Sequence, residues 1–175
     1  MEPSVYGLIS LIMFILIGSA CCSGVEAAFL AVNSIRILEI ASKQKPRSSA
    51  NQLLKLRKHL GRTLTVITIT NNGFNIIGSL ILGVYGALLI NSSYGLTFFS
   101  IAFYILVVLV GEVLPKALGT RFSEQIALLS VPILIILNTI MRPFLILIEQ
   151  IFPVITAENE ISTDEEEIRQ MAKIG

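Results

Sequence analysis

Residues 98–116, FFSIAFYILVVLVGEVLPK, place a carboxylate directly after a long apolar run. Residues 98–110 carry no charge, so Glu112 still lies at membrane depth if this run crosses a bilayer. Charge at that depth is costly, and an acidic residue there usually marks a functional site. Pro115 has no N–H and clashes with the preceding turn, which frees backbone carbonyls near Gly111. A carboxylate beside free carbonyls forms an oxygen-rich site of the kind that hard cations prefer.

The composition around this stretch is that of an integral membrane protein. The 175 residues are 54% hydrophobic and only 14% charged, whereas soluble domains carry about 25% charged residues. The formal net charge of +1 gives no indication of nucleic-acid binding. We therefore expect an all-α membrane protein, and the position of its few charges becomes the main evidence on its function.

Three apolar segments are long enough to span a bilayer of about 30 Å at 1.5 Å per residue. They are residues 5–32, residues 63–90 and the segment that starts at Leu96 and continues into the 98–116 stretch. A fourth apolar segment, residues 126–152, is interrupted by two prolines and an arginine. We expect this segment to form a bent pair of helices in the cytoplasmic leaflet, a belt around three spanning helices. A fourth full crossing is the alternative.

The basic residues predict the orientation of these segments. Eight of them lie between the first and second apolar segments, and the turn at residues 91–95 has none. The positive-inside rule places the basic stretch in the cytoplasm, and therefore the N-terminus outside. We expect residues 1–155 to form the transmembrane domain and the acidic residues 156–175 to begin a cytoplasmic helical segment. We also expect the protein to continue beyond this segment into a soluble part.

Counting residues along the three spans brings several oxygen donors to a similar depth. Ser23 lies about 27 Å below the outer start of the first span, and Glu112 about 24 Å below that of the third. Asn75 lies about 18 Å above the cytoplasmic start of the second span, and Asn71 shares its helix face. The side-chain oxygens of these four residues and a carbonyl oxygen near Gly111 are hard ligands, and the set includes no His or usable Cys. The set disfavours zinc or copper and favours magnesium, calcium or sodium.

Each of these residues also has an interpretation that involves no ion. An asparagine in a transmembrane helix often hydrogen-bonds a neighbouring helix, and Ser23 could bond a carbonyl of its own helix. Glu112 could pair with Lys116 or Arg121. For Ser23 alone we favour the interpretation without an ion, and for Glu112 we favour function. Glu26 has three interpretations: it lines the exit of an ion, pairs with a cation such as Lys116, or binds a coupling ion.

These motifs together resemble the transmembrane domain of the CorC / cyclin M family of magnesium transporters. The resemblance rests on SGVE at residues 23–26, Asn71 and Asn75 in the second span, and GEVLPK at residues 111–116. It covers roughly residues 5–155, which is nearly the whole chain. The GEVLPK element in its apolar setting is fairly specific, whereas SGVE alone is weak.

The resemblance implies a homodimer of three spanning helices with a juxtamembrane helical belt. It implies Mg²⁺ held near the middle of the membrane by Ser23, Asn75 and Glu112, with backbone oxygen near Gly111. It further implies export of Mg²⁺, with sodium coupling proposed for the family. Family members continue into a cytosolic acidic bundle and a pair of CBS domains that bind ATP, so ATP would act only through domains absent from this chain.

We therefore expect a dimeric Mg²⁺ transporter domain in the inner or plasma membrane. We do not expect an enzyme, because the sequence contains no nucleophile–base pair, phosphate-binding loop or hydrolase motif. One alternative is a membrane anchor that dimerises a cytosolic sensor, with the polar residues joining helices. Another is a transporter of a different cation, such as Na⁺ or Co²⁺.

Overall fold

The computed structural model describes residues 4–151, without the side chains of residues 149 and 151. Within this part of the chain, short turns connect helices and no strand occurs, as expected. Residues 156–175, the predicted acidic segment, lie outside the described residues. The α-helices are α1 (Val5–Ala31), α2 (Ser34–Ser42), α3 (Ser49–Lys58), α4 (Leu60–Asn72), α5 (Gly78–Leu89), α6 (Ser93–Leu106), α7 (Leu114–Arg121) and α8 (Ser123–Ile151). Two π-helical segments join consecutive α-helices: the first π-segment (Gly73–Ile77) and the second π-segment (Val107–Val113).

Among the described residues, four helical stretches are long and apolar enough to cross a membrane. They are Val5–Ala31, Leu60–Leu89, Ser93–Arg121 and Ser123–Ile148. The first three match the three predicted spans. The fourth belongs to α8, which is one continuous helix and not the expected pair, although two prolines lie inside it. A proline in a long apolar helix removes single hydrogen bonds without ending the helix, since the turns on either side remain bonded.

The described residues divide into two compact units, and the first comprises residues 4–33 and 67–130. Helix α1 is its centre and packs against α5, α7 and both π-segments. An apolar cluster in this unit consists of Ile15, Leu16, Leu82, Phe103 and Val107. Large apolar side chains also cover its outer surface: Leu129, for example, is 80% exposed. An outer surface of this kind suits lipid as the surrounding solvent.

The second unit comprises residues 34–66 and 131–151 of the described chain, and helix α2 packs against α3 within it. Residues 42–51 are rich in Ser, Lys and Pro, a composition typical of a loop, but α3 already begins at Ser49. Ser48 caps this helix, since its Oγ accepts a hydrogen bond from the Asn51 amide at 3.4 Å. The Asn51 side chain also donates to the carbonyls of Ala41 (3.2 Å) and Lys45 (3.1 Å), which holds the α2–α3 turn.

Candidate functional site

The two π-segments lie where the sequence predicted the cation ligands. The first contains Asn75 and the second contains Gly111 and Glu112. Proline explains part of the second: Pro115 cannot donate to the Gly111 carbonyl four residues earlier, and the Leu114 N–H donates to Leu109, five residues back. Single π-turns inside α-helices occur frequently at functional sites. Here the extra residue in each turn changes the direction of the side chains that follow it.

Ser19, Ser23 and Asn71 form a buried polar group between α1 and α4. The Ser19 hydroxyl donates to Asn71 Oδ1 at 3.1 Å, and Asn71 Nδ2 donates to Ser23 Oγ at 3.4 Å. Both serines are 0% exposed and the asparagine is 8% exposed. The Ser19 hydroxyl also lies 3.4 Å from the Gly111 carbonyl oxygen. Because a hydroxyl has one proton, Ser19 donates a hydrogen bond to only one of these two acceptors at a time.

Asn75 and Glu112 form the second half of the cluster. Asn75 Nδ2 donates to Glu112 Oε1 at 2.9 Å, which joins the second span to the third. Asn75 Oδ1 is buried and has no hydrogen-bond partner among the described residues. Leaving a buried acceptor unpaired costs about 1–3 kcal/mol, so this amide oxygen is available to a ligand. We refer to Ser19, Ser23, Asn71, Asn75, Gly111 and Glu112 together as the polar layer.

A second set of polar residues lies about one helical turn from the polar layer on each of its helices. Glu26 follows Ser23 by three residues, Lys116 follows Glu112 by four, and Thr68 precedes Asn71 by three. The spacing is therefore consistent with antiparallel first and second spans. Thr68 Oγ1 donates to Glu26 Oε1 at 3.2 Å, and Lys116 Nζ lies 3.6 Å from Glu26 Oε2. Of the three interpretations of Glu26, the ion pair with Lys116 is observed.

Small residues allow the first and third spans to approach closely beside these groups. A Cβ atom built on Gly119 would overlap the Gly24 carbonyl oxygen, and one on Gly111 would lie 3.1 Å from Ser19 Oγ. A larger side chain at either position would separate the two backbones. Glycine is common at transmembrane helix interfaces for this reason. The close contact fixes Gly111 and Glu112 relative to α1.

The structure brings all five residues predicted from the sequence into the polar layer. It adds Ser19, which the sequence analysis missed although it precedes Ser23 by four residues and so shares its helix face. Asn72, which follows Asn71 and so lies on a different helix face, is exposed. The donors present are hydroxyl, amide, carbonyl and carboxylate oxygens. Among the described residues, no three His, Cys, Asp or Glu side chains come together in a metal-binding group, so any cation here depends on one carboxylate and neutral oxygens.

Comparisons with known proteins identify relatives of this chain. The UPF0053 protein sll1254 of Synechocystis sp. is 32% identical over 169 residues, which cover 96% of this chain and 48% of the relative. The UPF0053 inner membrane protein YfjD of Escherichia coli is 30% identical over 146 residues, covering 83% of this chain and 33% of the relative. The chain thus spans about half the length of the first relative and a third of the second. Residues 10–175 also match the family described as the cyclin M transmembrane N-terminal domain. The chain therefore belongs to the cyclin M transmembrane domain family.

Proposed function

We propose that this chain transports Mg²⁺ across the membrane and binds it in the polar layer during transport. One observation carries the proposal: the buried Asn75 Oδ1, without a hydrogen-bond partner, sits on the same amide that contacts the Glu112 carboxylate. A cation ligated by both residues would give this oxygen a partner and offset its desolvation cost. An oxygen-only set of donors suits Mg²⁺ better than a transition metal.

The proposed ligands are Ser23, Asn71, Asn75, Glu112 and the Gly111 carbonyl oxygen. Mg²⁺ requires about six oxygens at about 2.0–2.1 Å and gives up its waters reluctantly, so water would complete the shell. A single carboxylate balances only half of the charge of the ion. Such a site binds a divalent cation less tightly than a multi-carboxylate site would, which suits an ion that must also be released.

We propose export as the direction and Na⁺ as the coupling ion. Transport would proceed by alternating access, with the π-segments as the points where the second and third spans change shape. The Glu26–Lys116 ion pair would close the cytoplasmic side of the polar layer and open to admit the ion. No covalent step is required, and transport is not an enzymatic reaction.

We further propose a homodimer in the inner or plasma membrane with three crossings per chain. In this arrangement the N-terminus lies outside, α8 lies in the cytoplasmic leaflet as part of a juxtamembrane belt, and the C-terminus is cytoplasmic. The basic stretch formed by α2, α3 and their connections supports this orientation. A crossing by α8 would instead place the C-terminus outside. ATP would act only through parts of longer family members that lie beyond this chain.

A flux assay in proteoliposomes with a Mg²⁺-sensitive dye tests the proposal. The full chain should move Mg²⁺, and Asn75→Ala should slow the movement about ten-fold at low Mg²⁺ concentration, in line with about 1.4 kcal/mol of lost binding. Asn72→Ala is the matched control, since it removes an exposed amide from the same helix and should leave the flux unchanged. Competition by Na⁺ or Co²⁺ in the same assay separates the Mg²⁺ transporter from a transporter of another cation.

A second candidate function is that of a membrane anchor for a cytosolic sensor. The hydrogen bonds from Ser19 to Asn71 and from Asn71 to Ser23 favour this second function. They give the three buried polar side chains partners on a neighbouring helix, as ordinary interhelical contacts do. The unpaired Asn75 oxygen has no role in an anchor. Absence of flux, together with an unchanged thermal midpoint on adding Mg²⁺, would favour the anchor and remove the transport proposal.

A further inference from the structure

In the first unit, the start of α1 lies beside the end of α5 and the start of α6. The Ser4 amide donates a hydrogen bond to the Tyr85 hydroxyl at 3.0 Å, which joins the beginning of α1 to the last turns of α5. A Cβ atom built on Gly86 would lie 3.2 Å from the Phe99 ring, so α6 packs against α5 here as well. The first and second spans are therefore antiparallel. We call this end of the first unit the α1-start side.

A buried apolar cluster lies in the first unit, and its side chains are at most 8% exposed. It consists of Ile15, Leu16, Leu82, Phe103 and Val107. Four partly buried apolar side chains pack against it: Leu8, Leu11, Ile12 and Phe99. On α1 these side chains extend over residues 8–16, which is about 12 Å of helix at 1.5 Å per residue. We refer to all these side chains together as the apolar barrier.

The apolar barrier lies directly on the α1-start side of the polar layer. Ile15 precedes Ser19 by four residues on α1. Leu82 follows Asn75 by seven residues on the second span, which runs in the opposite direction. Val107, the last barrier residue on the third span, precedes the polar layer by four residues. On each span the barrier is thus one or two helical turns nearer to the α1-start side than the polar layer is.

The closest approach within the barrier joins Ile15 on α1 to Gly78 on α5. A Cβ atom built on Gly78 would lie 2.7 Å from Ile15 Cγ1, well inside the separation of about 3.5–4.0 Å at which two carbon atoms make contact. Glycine at this position therefore lets α5 come close to α1. Gly78 is buried and directly follows the first π-segment, which contains Asn75. A change in the shape of this segment would move Gly78 relative to Ile15.

The opposite side of the polar layer is polar and more open. The side chains of Glu26 and Lys116 are 23% and 48% exposed, and their charged atoms are 3.6 Å apart. Thr68, which donates to Glu26, is exposed. A partly exposed ion pair contributes little to holding two helices together, whereas a charge inside a packed apolar layer is strongly disfavoured. The two sides of the polar layer therefore differ in how easily an ion passes them.

We propose that the apolar barrier is the gate of the polar layer on the α1-start side, with Ile15 against Gly78 as its closing contact. In the described conformation a cation reaches the polar layer from the side of Glu26 and not through the barrier. The gate opens when α5 moves away from α1, and the first π-segment is the point at which α5 changes direction. The role as a gate rests on the proposed transport function, whereas the exclusion of charged molecules by the barrier does not.

Side-specific labelling of a cysteine in the polar layer tests the proposal. The reporter is Ser23→Cys in the full chain with Cys21→Ala and Cys22→Ala, reconstituted in vesicles without Mg²⁺. The probe is a membrane-impermeant cationic methanethiosulfonate, and protease cleavage of a tag placed before Met1 identifies the α1-start side. Labelling from this side should be slow. Ile15→Ala should speed it at least about ten-fold, because a cavity in the barrier lowers the cost of admitting a charged probe.

Two matched controls separate the barrier from a general loosening of the fold. Ile67→Ala removes the same atoms from an isoleucine that is 2% exposed and precedes Asn71 by four residues, on the other side of the polar layer. This variant should not speed labelling from the α1-start side. Gly78→Ala should speed it about three-fold, because the added methyl group displaces Ile15. Gly83→Ala on the same helix should leave the rate unchanged, since its methyl group would meet no atom of the described residues within 4 Å.

The labelling rates decide the proposal without reference to Mg²⁺. Fast labelling of the parent reporter from the α1-start side, no gain in Ile15→Ala, or an equal gain in Ile67→Ala would overturn it. Equal rates in Gly78→Ala and Gly83→Ala would remove the closing contact. The expected labelling pattern in a chain that moves no Mg²⁺ would keep the barrier and overturn its role as a gate, so failure of the barrier and failure of the transport function are distinguishable.

Discussion

Glu112 in the first unit and Glu39 in the second are both glutamates on helices, but their partners differ. Glu112 is partly buried and accepts a hydrogen bond from the neutral Asn75 amide. Glu39 on α2 is exposed and pairs with Arg36 at 3.0 Å and Lys43 at 2.8 Å, three and four residues away. The charge of Glu39 is therefore balanced by cations close to it in the sequence, whereas the charge of Glu112 has a neutral partner.

The different partners of these two glutamates indicate which carboxylate is able to bind an ion. A solvent-exposed carboxylate that already pairs with cations gains little stabilisation from a further cation. A carboxylate at membrane depth with an amide partner retains most of its attraction for a cation, because the surrounding dielectric constant is low. Glu26 is intermediate: its side chain is 23% exposed, and it pairs with Lys116 and Thr68.

The largest effect should come from removing the charge of Glu112. We expect Glu112→Gln to weaken Mg²⁺ binding at least about thirty-fold, because truncating a buried charged contact costs about 2 kcal/mol or more. Titration calorimetry on the purified protein measures the affinity. The same substitution at the exposed residue, Glu39→Gln, is the control and should leave the affinity unchanged. Equal affinity in both variants would contradict the comparison.

The two asparagines should differ in their contribution to stability without Mg²⁺. Asn75→Ala should weaken Mg²⁺ binding about ten-fold, or about 1.4 kcal/mol, because it removes the unpaired oxygen. Asn71→Ala should also weaken Mg²⁺ binding, but in addition it should lower the thermal midpoint without Mg²⁺, since it leaves the buried hydroxyls of Ser19 and Ser23 without their partner, at about 0.6–2 kcal/mol. Thermal unfolding with and without Mg²⁺ measures both. Unchanged Mg²⁺ affinity in Asn71→Ala would remove Asn71 from the proposed ligands.

A smaller effect should follow from breaking the Glu26–Lys116 pair. Glu26→Gln retains an oxygen for Thr68 but loses the attraction to the ammonium group. If the pair closes the cytoplasmic side, the variant should raise Mg²⁺ flux about two- to five-fold, in line with about 0.4–1 kcal/mol for a partly exposed ion pair. The exchange Glu26→Lys/Lys116→Glu should restore the original flux. A loss of binding in Glu26→Gln would instead make Glu26 a ligand.

The smallest effect concerns the pH dependence of α2. The hydrogen bond from Lys43, followed by that from Arg36, lowers the pKa of Glu39 below its ordinary value. A lowered folded-state pKa adds stability above the unfolded-state pKa, and this stability is lost as the pH falls through the folded-state value. The thermal midpoint of the wild type should therefore fall slightly more than that of Glu39→Gln on acidification from pH 7. An identical fall in both proteins would show that the pair contributes nothing to stability.

The sequence predicted much of the polar layer because depth in a membrane helix follows from counting residues. A rise of 1.5 Å per residue placed Ser23, Asn71, Asn75 and Glu112 in reach of one another, and the structure links them in hydrogen-bonded pairs. Ser19 could not be singled out in the same way, because serine is common in membrane helices and its partner is on another helix. Glu26 also has its partner, Lys116, on another helix, so the sequence left their ion pair as one of three interpretations of Glu26.

Residue types and their order thus determined the helical class, the apolar spans and the oxygen chemistry of the polar layer, since hydropathy and helical rise are local properties. Tertiary structure alone decided the first π-segment, the continuous α8 and the contact of Ile15 with Gly78. These features depend on which helices come into contact, and the same local sequence is compatible with several hydrogen-bond patterns until that contact selects one. Asn75 shows the difference most clearly: its position was predicted, but its unpaired oxygen was not.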